Sequence, residues 1–350
     1  MTSVAKGLAG VVVDQTAISN VQAEGALSYR GHAIETLVDK PFFHVAGLIV
    51  NNQMDATLHE RLMPSMNLTA DETRFVLNRP AQMHPMQLLQ GIVPLLSRTQ
   101  DLGFGEANQG LHVAAKLPAV VATHLRRAAV ELDPTLGYSE AFLRAIGNPA
   151  TAEHVAAFNT AQILQVDHGF NAGTFAARVV ASTLASVEAS MAAGIGALSG
   201  PLHGGADQAV LEIADRLGTI ADARAYVAQA LAAGEKVPGM GHREYRAVDP
   251  RAVCLQAWVE KLALGTEHEP VYHLLREIDT QFAAAMAQRG KALYANVEFY
   301  KGLVLRVVGL PNHFFTAAFA MARSFGYVAH FIESREDNRI FRPAAEYIGR

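Results

Sequence analysis

The sequence has a single cysteine, Cys254, among its 350 residues. One thiol cannot close a disulfide within the chain and cannot supply a cysteine-rich metal site, which favours a reducing compartment. The N-terminus lacks a basic segment followed by an apolar run, and it also lacks the arginine-rich pattern of a transit peptide. We therefore expect a complete, cytoplasmic protein.

An excess of one charge and long hydrophobic runs are missing as well. Charged residues make up 18% of the chain and the formal net charge is -4, which predicts neither a nucleic-acid-binding surface nor an acidic tail. The most apolar region, residues 175–198, contains Arg178 and Glu188 and is rich in small residues. Because charge inside a membrane is costly, this region predicts a buried, closely packed central helix rather than a membrane span.

The pattern of apolar residues predicts an all-α protein. Only residues 11–29 look like strand, as a short β-ribbon around Gly25. The length exceeds the size at which a single core stops growing, so two domains are expected. No repeat and no Rossmann or Walker phosphate loop is present in the sequence. Helical spacing and capping residues, among them Thr151 and Asp249, predict helices over 85–96, 111–127, 151–163, 206–217, 221–232, 250–258 and beyond, 270–288, 297–308 and 316–333.

Three short stretches place a proton-handling side chain where the backbone can approach a ligand. Gly200–Gly205 contains His203, Pro238–Tyr245 contains His242, and Asn296–Tyr300 contains Glu298. The glycines of the first two stretches permit unusual turns and let backbone N–H groups reach a ligand. Each stretch alone has a structural explanation, as a turn or as the solvated face of a helix. Two imidazoles and one carboxylate together form a set of acid and base groups.

In this order and at these separations, the three stretches resemble the citrate synthase family, whose members condense acetyl-CoA with oxaloacetate through two histidines and one aspartate. The resemblance covers nearly the whole chain, from Lys6–Leu8 and Tyr29–Gly31 to Arg323, 337–339 and Arg342. It implies the fold of that family. A large helical domain would consist of residues 1–204 and 303–350, and a smaller inserted domain of residues 205–302, with the active site between them.

The resemblance also implies roles for individual residues. Glu298 is expected to remove a proton from the acyl thioester, His203 to stabilise the enolate oxygen, and His242 to donate to the oxaloacetate carbonyl. Guanidinium groups recognise carboxylates through paired hydrogen bonds. The side chains expected to bind the two carboxylates of oxaloacetate are His168, Arg251, Arg323 and Arg342.

The partners implied are small molecules and a second subunit. Arg342 is expected to come from the partner subunit, which makes the protein a homodimer. Acyl-CoA, a substrate rather than a cofactor, is expected to lie over Lys236, Val237, Gly239, Met240 and Gly241. No metal is expected: His268 and His273 superficially resemble a zinc-binding helix, but they are five positions apart and Pro270 lies between them.

The chain departs from the family pattern within the predicted site. Glu298 stands where the family has aspartate, and a misplacement of about 1 Å can cost about a hundredfold in rate unless the site compensates. Gly169, Gly173, Met240 and Glu244 are also atypical. Two alternatives to a citrate synthase therefore stay open. One is a 2-methylcitrate or related alkylcitrate synthase that uses propionyl-CoA or a longer acyl-CoA, and the other is a weakly catalytic paralogue that binds oxaloacetate or CoA.

Overall fold

The computed structural model describes residues 5–8, 10–80, 82–96 and 106–349. The first regular elements form an antiparallel sheet of three strands: β1 (Ser19–Gln22), β2 (Ala26–Tyr29) and β3 (His32–Ala33). Ser19 pairs with Tyr29 and Gln22 with Ala26, around a turn in which Gly25 has a φ of +94°. The predicted ribbon is confirmed over residues 19–29, whereas Val11–Val13 lies outside the strands.

Fifteen α-helices lie within the described ranges, and they confirm the prediction of an all-α fold. The first nine are α1 (Phe42–Asn51), α2 (Leu58–Leu62), α3 (Ala70–Leu77), α4 (Pro85–Ile92), α5 (Glu106–Arg126), α6 (Tyr138–Ala145), α7 (Ala152–Ile163), α8 (Ala172–Ser182) and α9 (Val187–Leu198). The remaining six are α10 (Ala206–Arg216), α11 (Ile220–Ala233), α12 (Pro250–Ala263), α13 (Glu269–Gln288), α14 (Val297–Val307) and α15 (Phe315–Glu336).

Local side-chain signals set several of these boundaries. Thr151 caps α7 by accepting a hydrogen bond from His154 N at 3.2 Å, and Asp249 caps α12 through Arg251 N at 3.0 Å. The chain leaves α4 at Ile92 for a 3₁₀ turn over Val93–Leu95, because a proline in that turn removes a backbone donor. By contrast, α5 continues through Pro118 without a break.

The apolar region at 175–198 forms two helices, α8 and α9, instead of a single central one. Ser186 caps the second helix and thereby separates it from the first. The buried central helix of the fold is α15. Its Tyr327 packs against Gly173 of α8 and Gly194 of α9, where an added Cβ would clash with the tyrosine ring or hydroxyl. The small residues therefore allow the three helices to approach closely, as the sequence predicts.

Two further findings concern the organisation of the whole chain. The domain boundary predicted at residue 302 falls inside α14, which continues unbroken through Gly302. Within the described part of the chain, no single helix has the length and apolar composition of a membrane span; α14 and α15 together have the composition but are bent by 118° to each other.

Candidate active site

Segments that are far apart in the sequence bring the predicted base and a predicted donor to one helix end. His203 lies in the turn between α9 and α10, and Glu298 lies in the first turn of α14. Lys301, one turn further along α14, has its Nζ 3.9 Å from Glu298 Oε1 and 3.1 Å from Asp207 Oδ2 in the first turn of α10. Lys301 also lowers the pKa of His203, so the carboxylate and the imidazole both lie near the start of α10.

Glu298 owes its position to the cap of α14. The Asn296 side chain accepts a hydrogen bond from Glu298 N at 3.0 Å and starts the helix there. Burial raises the pKa of Glu298 to about 7, with Lys301 lowering it and Asp207 raising it. A carboxyl group that titrates near neutrality is a stronger base than an ordinary glutamate. Within the described residues, no hydrogen bond or ion pair joins Glu298 to His203 or His242.

The first turn of α8 fixes the ring of His203. Gly173 N donates to His203 Nε2 at 3.3 Å, and Asn171 Oδ1 lies 3.1 Å from the same nitrogen. These neighbours favour opposite tautomers, because a backbone N–H only donates and an amide oxygen only accepts. Asn171 Oδ1 already accepts from Thr174 N at 3.1 Å, whereas the Gly173 N–H at this helix end has no intrahelical acceptor. We therefore assign the proton of the neutral ring to Nδ1.

His242 is held by its own loop between α11 and α12. Glu244 N and Tyr245 N donate to His242 Nδ1 at 3.0 and 3.3 Å. Nδ1 is thus an acceptor, and the proton of the neutral ring lies on Nε2. Arg251 lies 3.4 Å from Nε2, a weaker contact than the two at Nδ1. The ring also meets His168 edge to face, with centroids 5.1 Å apart.

All three predicted histidines are neutral near physiological pH. Burial lowers the pKa of His203 to about 4, with Arg323 as the next cause. Burial lowers the pKa of His242 to about 4 as well, with Arg251 as the next cause. The pKa of His168 lies well below its ordinary value because of burial and the same arginine. A neutral N–H can donate to an oxygen that becomes negative during a reaction.

Asp249 connects Arg251 to the helix that carries the base. Arg251 Nε and a terminal nitrogen donate to the two oxygens of Asp249 at 3.0 and 2.8 Å, and both side chains are buried. Asp249 Oδ2 also accepts from Val297 N at 3.1 Å, directly before Glu298 in the chain. Charge-assisted bonds of this kind are stronger than neutral ones. The carboxylate thus couples a predicted oxaloacetate-binding arginine to α14.

Arg323 and His168 approach the same region from α15 and from the end of α7. Arg323 Nε donates to Gln165 O at 2.8 Å, and its guanidinium stacks over Phe319 at 4.7 Å. Its terminal nitrogens have no hydrogen-bond partner among the described residues and are free to bind a carboxylate. His168 Nε2 lies 3.0 Å from the Tyr245 hydroxyl. Arg323 is close enough to lower the pKa of His168.

The glycine loop predicted to bind acyl-CoA is tied to the segment that leads to Glu298. Gly241 N donates to Tyr294 O at 2.7 Å, and Asn296 N donates to Gly239 O at 2.9 Å. The φ angles of Gly239 and Gly241 are +71° and +83°, a region that glycine adopts without strain. Met240 N donates to Val237 O at 3.2 Å, so two N–H groups of the loop bond within the protein. Exposure varies along the loop: Lys236 is exposed, Val237 buried and Met240 half-buried.

Arg342 lies apart from the other predicted residues. It is exposed in the extended segment that follows α15, and no hydrogen bond or ion pair among the described residues joins it to the site of its own chain. The neighbouring Phe341 N donates to Ser182 Oγ at 3.2 Å, which holds the segment against the end of α8. The role of Arg342 across a subunit interface stays a prediction.

Several neighbours of the site were not predicted to be part of it. Tyr245 belongs to the second glycine-containing stretch, and Asp249 was predicted only as a helix cap. Lys301 follows Glu298 by three positions, a spacing that places both on one helix face and could have identified it. Asp207 has no such local signal, because only the fold brings α10 against α14.

His268 and His273, the pair that superficially resembles a zinc-binding helix, lie in different settings. His273 Nε2 lies 3.3 Å from Glu269 Oε1 on the exposed face of α13, and His268 precedes that helix. In the part of the chain that the structure describes, no group of three or more His, Cys, Asp or Glu side chains is placed to hold a metal ion.

Known proteins are similar to this chain in sequence and in fold. A family model described as "Citrate synthase, C-terminal domain" matches residues 7–344. The citrate synthase of Acidithiobacillus ferridurans is 33% identical, over 99% of this chain and 95% of its own. The 2-methylcitrate synthase of Shewanella oneidensis is 32% identical, over 98% and 94%. The citrate synthase of Thermoplasma acidophilum, solved in a ternary complex with carboxymethyl coenzyme A and oxaloacetate, matches with a TM-score of 0.92 at 27% identity, over 99% of this chain and 97% of that one. The chain therefore belongs to the citrate synthase family and has its fold.

Proposed function

We propose that this protein condenses acetyl-CoA with oxaloacetate and hydrolyses the resulting thioester to citrate and CoA. The observation that carries the proposal is the position of Lys301, whose Nζ lies 3.9 Å from Glu298 Oε1 and which also lowers the pKa of His203. It supports a carboxylate base and a neutral imidazole at one helix end, the start of α10. Removal of a proton beside a thioester carbonyl needs both a base and a donor for the enolate oxygen. The proposed chemistry uses no metal and no cofactor besides the acyl-CoA substrate.

The first step forms the enolate of acetyl-CoA. The Glu298 carboxylate takes a proton from the methyl group, and the electron pair of the broken C–H bond moves into the enolate. The His203 Nδ1–H donates to the thioester oxygen, on which negative charge develops. Since the pKa of His203 is about 4, this donor is neutral before the reaction and gains no proton of its own near neutral pH.

The second step forms the carbon–carbon bond. The enolate carbon attacks the ketone carbon of oxaloacetate, and the ketone oxygen becomes an alkoxide. The His242 Nε2–H donates to this oxygen, because its Nδ1 is already occupied by two backbone N–H groups. Water then attacks the carbonyl carbon of the citryl thioester and the C–S bond breaks. Of the three protons available, one from Glu298 and two from water, one goes to the alkoxide, one to the CoA thiolate and one to solvent.

Oxaloacetate is held through its two carboxylates. Arg251 and Arg323 bind them, and His168 is an additional donor. The free terminal nitrogens of Arg323 support this assignment. We also propose that Arg342 of a second subunit completes the carboxylate site, which makes a homodimer the active form. Its exposure, away from the site of its own chain, supports this role.

A second candidate is the synthesis of 2-methylcitrate from propionyl-CoA. The similarity to the 2-methylcitrate synthase of Shewanella oneidensis, 32% identical, is nearly equal to the 33% for a citrate synthase. The family alone therefore does not decide the acyl group. A comparison of CoA release from the two acyl-CoA substrates, with oxaloacetate in excess, decides between the candidates. We expect the higher kcat/KM with acetyl-CoA, and a higher value with propionyl-CoA would favour the second candidate.

The role of Glu298 is tested with Glu298→Gln. An amide cannot accept the proton, so we expect kcat to fall by about 10²- to 10⁴-fold while the Kd for oxaloacetate, measured by calorimetry, changes less than about twofold. Asp279→Asn is the matched control. Asp279, on α13, accepts a hydrogen bond from Tyr300 Oη at 2.6 Å, and Tyr300 lies on a different face of α14 from Glu298. Unchanged turnover in Glu298→Gln would remove Glu298 from its role. Oxaloacetate binding by a wild-type protein that releases no CoA would favour the binding paralogue.

A further inference from the structure

A lysine side chain is completely buried beside the proposed base. Lys301 is 0% exposed, and its Nζ lies 3.1 Å from Asp207 Oδ2 and 3.9 Å from Glu298 Oε1. The shorter contact is an ion pair that lacks hydrogen-bond geometry. Nζ also lies 4.4 Å from the centre of the Phe319 ring, a cation–π contact. Asp207 is likewise 0% exposed and follows Ala206, whose backbone N–H lowers the pKa of Glu298.

The charges of these three groups do not balance when Glu298 is ionised. Two carboxylates and one ammonium then carry one net negative charge, whereas the cluster is neutral when Glu298 is protonated. A buried charge without a partner is costly. Transfer of the substrate proton to Glu298 therefore leaves this cluster neutral, and the negative charge moves to the enolate oxygen near His203.

We propose that Lys301 is a positioning residue for the Glu298 carboxylate, and that Asp207 keeps the Lys301 ammonium shared between two carboxylates. Lys301 keeps the base ionised and directed towards the end of α10. Asp207 prevents a full ion pair between Lys301 and Glu298, which would make Glu298 a weaker base. The kinetic half of this inference rests on the proposed function, whereas the electrostatic half concerns only the folded protein.

Charged groups reach this cluster from several elements. Those that face it are Lys301 on α14, Asp207 on α10, Arg251 on α12, His203 in the turn before α10, and Arg323 on α15, which shares Phe319 with Lys301. From α13, Arg276 and Asp279 bond the Tyr300 hydroxyl instead. The titratable residues of α7, Glu153 and His154, contact Lys261 and Asn148, and His313 is exposed in the turn before α15.

An infrared pH titration of the protonated-carboxyl band tests the electrostatic half without any turnover. The Glu298 signal is the difference between each protein and the same protein carrying Glu298→Gln. In Asp207→Asn the Lys301 ammonium pairs with Glu298 alone, so we expect the titration of Glu298 to move to lower pH. Lys301→Met removes the cation and leaves two carboxylates together, so we expect a move to higher pH. Each shift should be about one to three pH units.

The kinetic half is read from the acidic limb of the pH profile of kcat/KM for acyl-CoA. We expect this limb to move in the same two directions, with the KM for oxaloacetate changed by less than about twofold. Asp215→Asn is the matched control, because Asp215 bonds Arg306 between the same two helices at 2.6 Å, away from Glu298. If Lys301→Met does not fold, the double variant Asp207→Asn, Lys301→Met removes the excess charge and serves in its place. Its titration should lie above that of Asp207→Asn.

The outcomes separate this inference from the proposed function. Infrared shifts in opposite directions in Asp207→Asn and Lys301→Met support the inference, and so does a double variant that titrates above Asp207→Asn. If turnover does not depend on Glu298, these shifts still support the inference and only the proposed function fails. Equal shifts or no shift in folded variants overturn the inference, even when Glu298→Gln abolishes turnover. A purely structural role would lower the unfolding temperature without moving the Glu298 titration.

Discussion

The titratable residues of the site respond to two separate ranges of pH. Burial lowers the pKa of both His203 and His242 to about 4, whereas burial raises that of Glu298 to about 7. Burial is the largest cause for all three, and the opposite shifts follow because burial disfavours the charged form of each group. The two donors are therefore neutral at the pH at which the base changes its charge.

This separation predicts a simple pH profile. Glu298 has to be ionised to accept a proton, so kcat/KM should rise through a single step near pH 7 and show no histidine step down to about pH 5. CoA release measured from about pH 5 to 9 tests this expectation. If a partly active Glu298→Asp variant shows the step in kcat/KM at the same pH as the wild type, the step belongs to a group other than Glu298.

The same shift has a consequence for stability. The folded-state pKa of Glu298 is raised above its ordinary value of 4.5 to about 7, so the folded chain holds this proton more tightly than the unfolded chain. The resulting stabilisation is complete below pH 4.5 and is lost as the pH rises through 7. Unfolding temperatures of the wild type and of Glu298→Gln, measured across this range, should therefore differ in slope.

At this scale the sequence predicts some residues and misses others for a clear reason. His203 and His242 stand in glycine-containing stretches, and the order of those two stretches and the Glu298 stretch identifies all three residues. Asp207 takes part only through the contact between α10 and α14, which no local pattern contains, whereas the three-position spacing of Lys301 from Glu298 is a local signal. The pKa of Glu298 could not be predicted either, because it depends on those same neighbours.

Among the elements, the glycine loop and the first turn of α14 form one unit. Asn296 N donates to Gly239 O at 2.9 Å, and Asn296 Nδ2 donates to Gly241 O at 3.0 Å. The cap that places Glu298 is therefore bonded to the loop on which acyl-CoA is expected to lie. A Cβ at Gly239 would come within 2.9 Å of Val210 and 3.1 Å of Phe299, so the loop cannot shift freely.

We predict that Gly239→Ala damages catalysis as well as stability. The φ of +71° and the two close contacts should lower the free energy of unfolding by about 1–3 kcal/mol, and displacement of Asn296 should lower kcat by at least about tenfold. Gly234→Ala is the matched control. Gly234 has a φ of +69° but no neighbour within 4 Å, so it should lose only about 1 kcal/mol and keep its kcat. Equal kcat values in the two variants would contradict the coupling. Chemical unfolding and CoA release provide the measurements.

Elements with a polar cap were predictable, whereas a break within small residues was not. Thr151 and Asp249 start their helices as expected, because their side chains satisfy a free backbone N–H. In residues 175–198 the composition of alanine, glycine and serine is similar on both sides of the break. The separation of α8 from α9 depends on the Ser186 cap, which is one polar residue among several similar ones.

For the whole molecule, the open question is how the C-terminal segment completes the site. Arg342 is exposed, and no hydrogen bond or ion pair among the described residues joins it to Arg251 or Arg323 of its own chain, although all three are predicted to bind the same substrate. Closed two-fold dimers place the same segment of each subunit against the other subunit. This arrangement would let each Arg342 reach the neighbouring site.

Mixed dimers test this arrangement. Arg342→Ala and Glu298→Gln should each be nearly inactive as pure proteins. Co-expressed with two different tags and purified as the mixed dimer, they should regain about half of the wild-type activity per dimer, because one site is then intact and the other carries both changes. No recovery in the mixed dimer would place Arg342 in the site of its own chain or outside it.

The fold class could be predicted from helical periodicity. The domain division and the assembly could not be predicted from any local sequence pattern. The predicted boundary at 302 lies within a continuous helix, so composition gives no sign of a linker there. The cleft between two domains stays a prediction.

Asp249 binds Arg251 with both oxygens and also accepts the N–H of Val297. Arg251, which is predicted to bind oxaloacetate, and the first turn of α14, which carries Glu298, are therefore held by the same carboxylate. A change in the position of Arg251 would reach Val297, the neighbour of Glu298, through Asp249. A ligand that binds Arg251 would thereby act on the position of the carboxylate that is proposed to take the substrate proton.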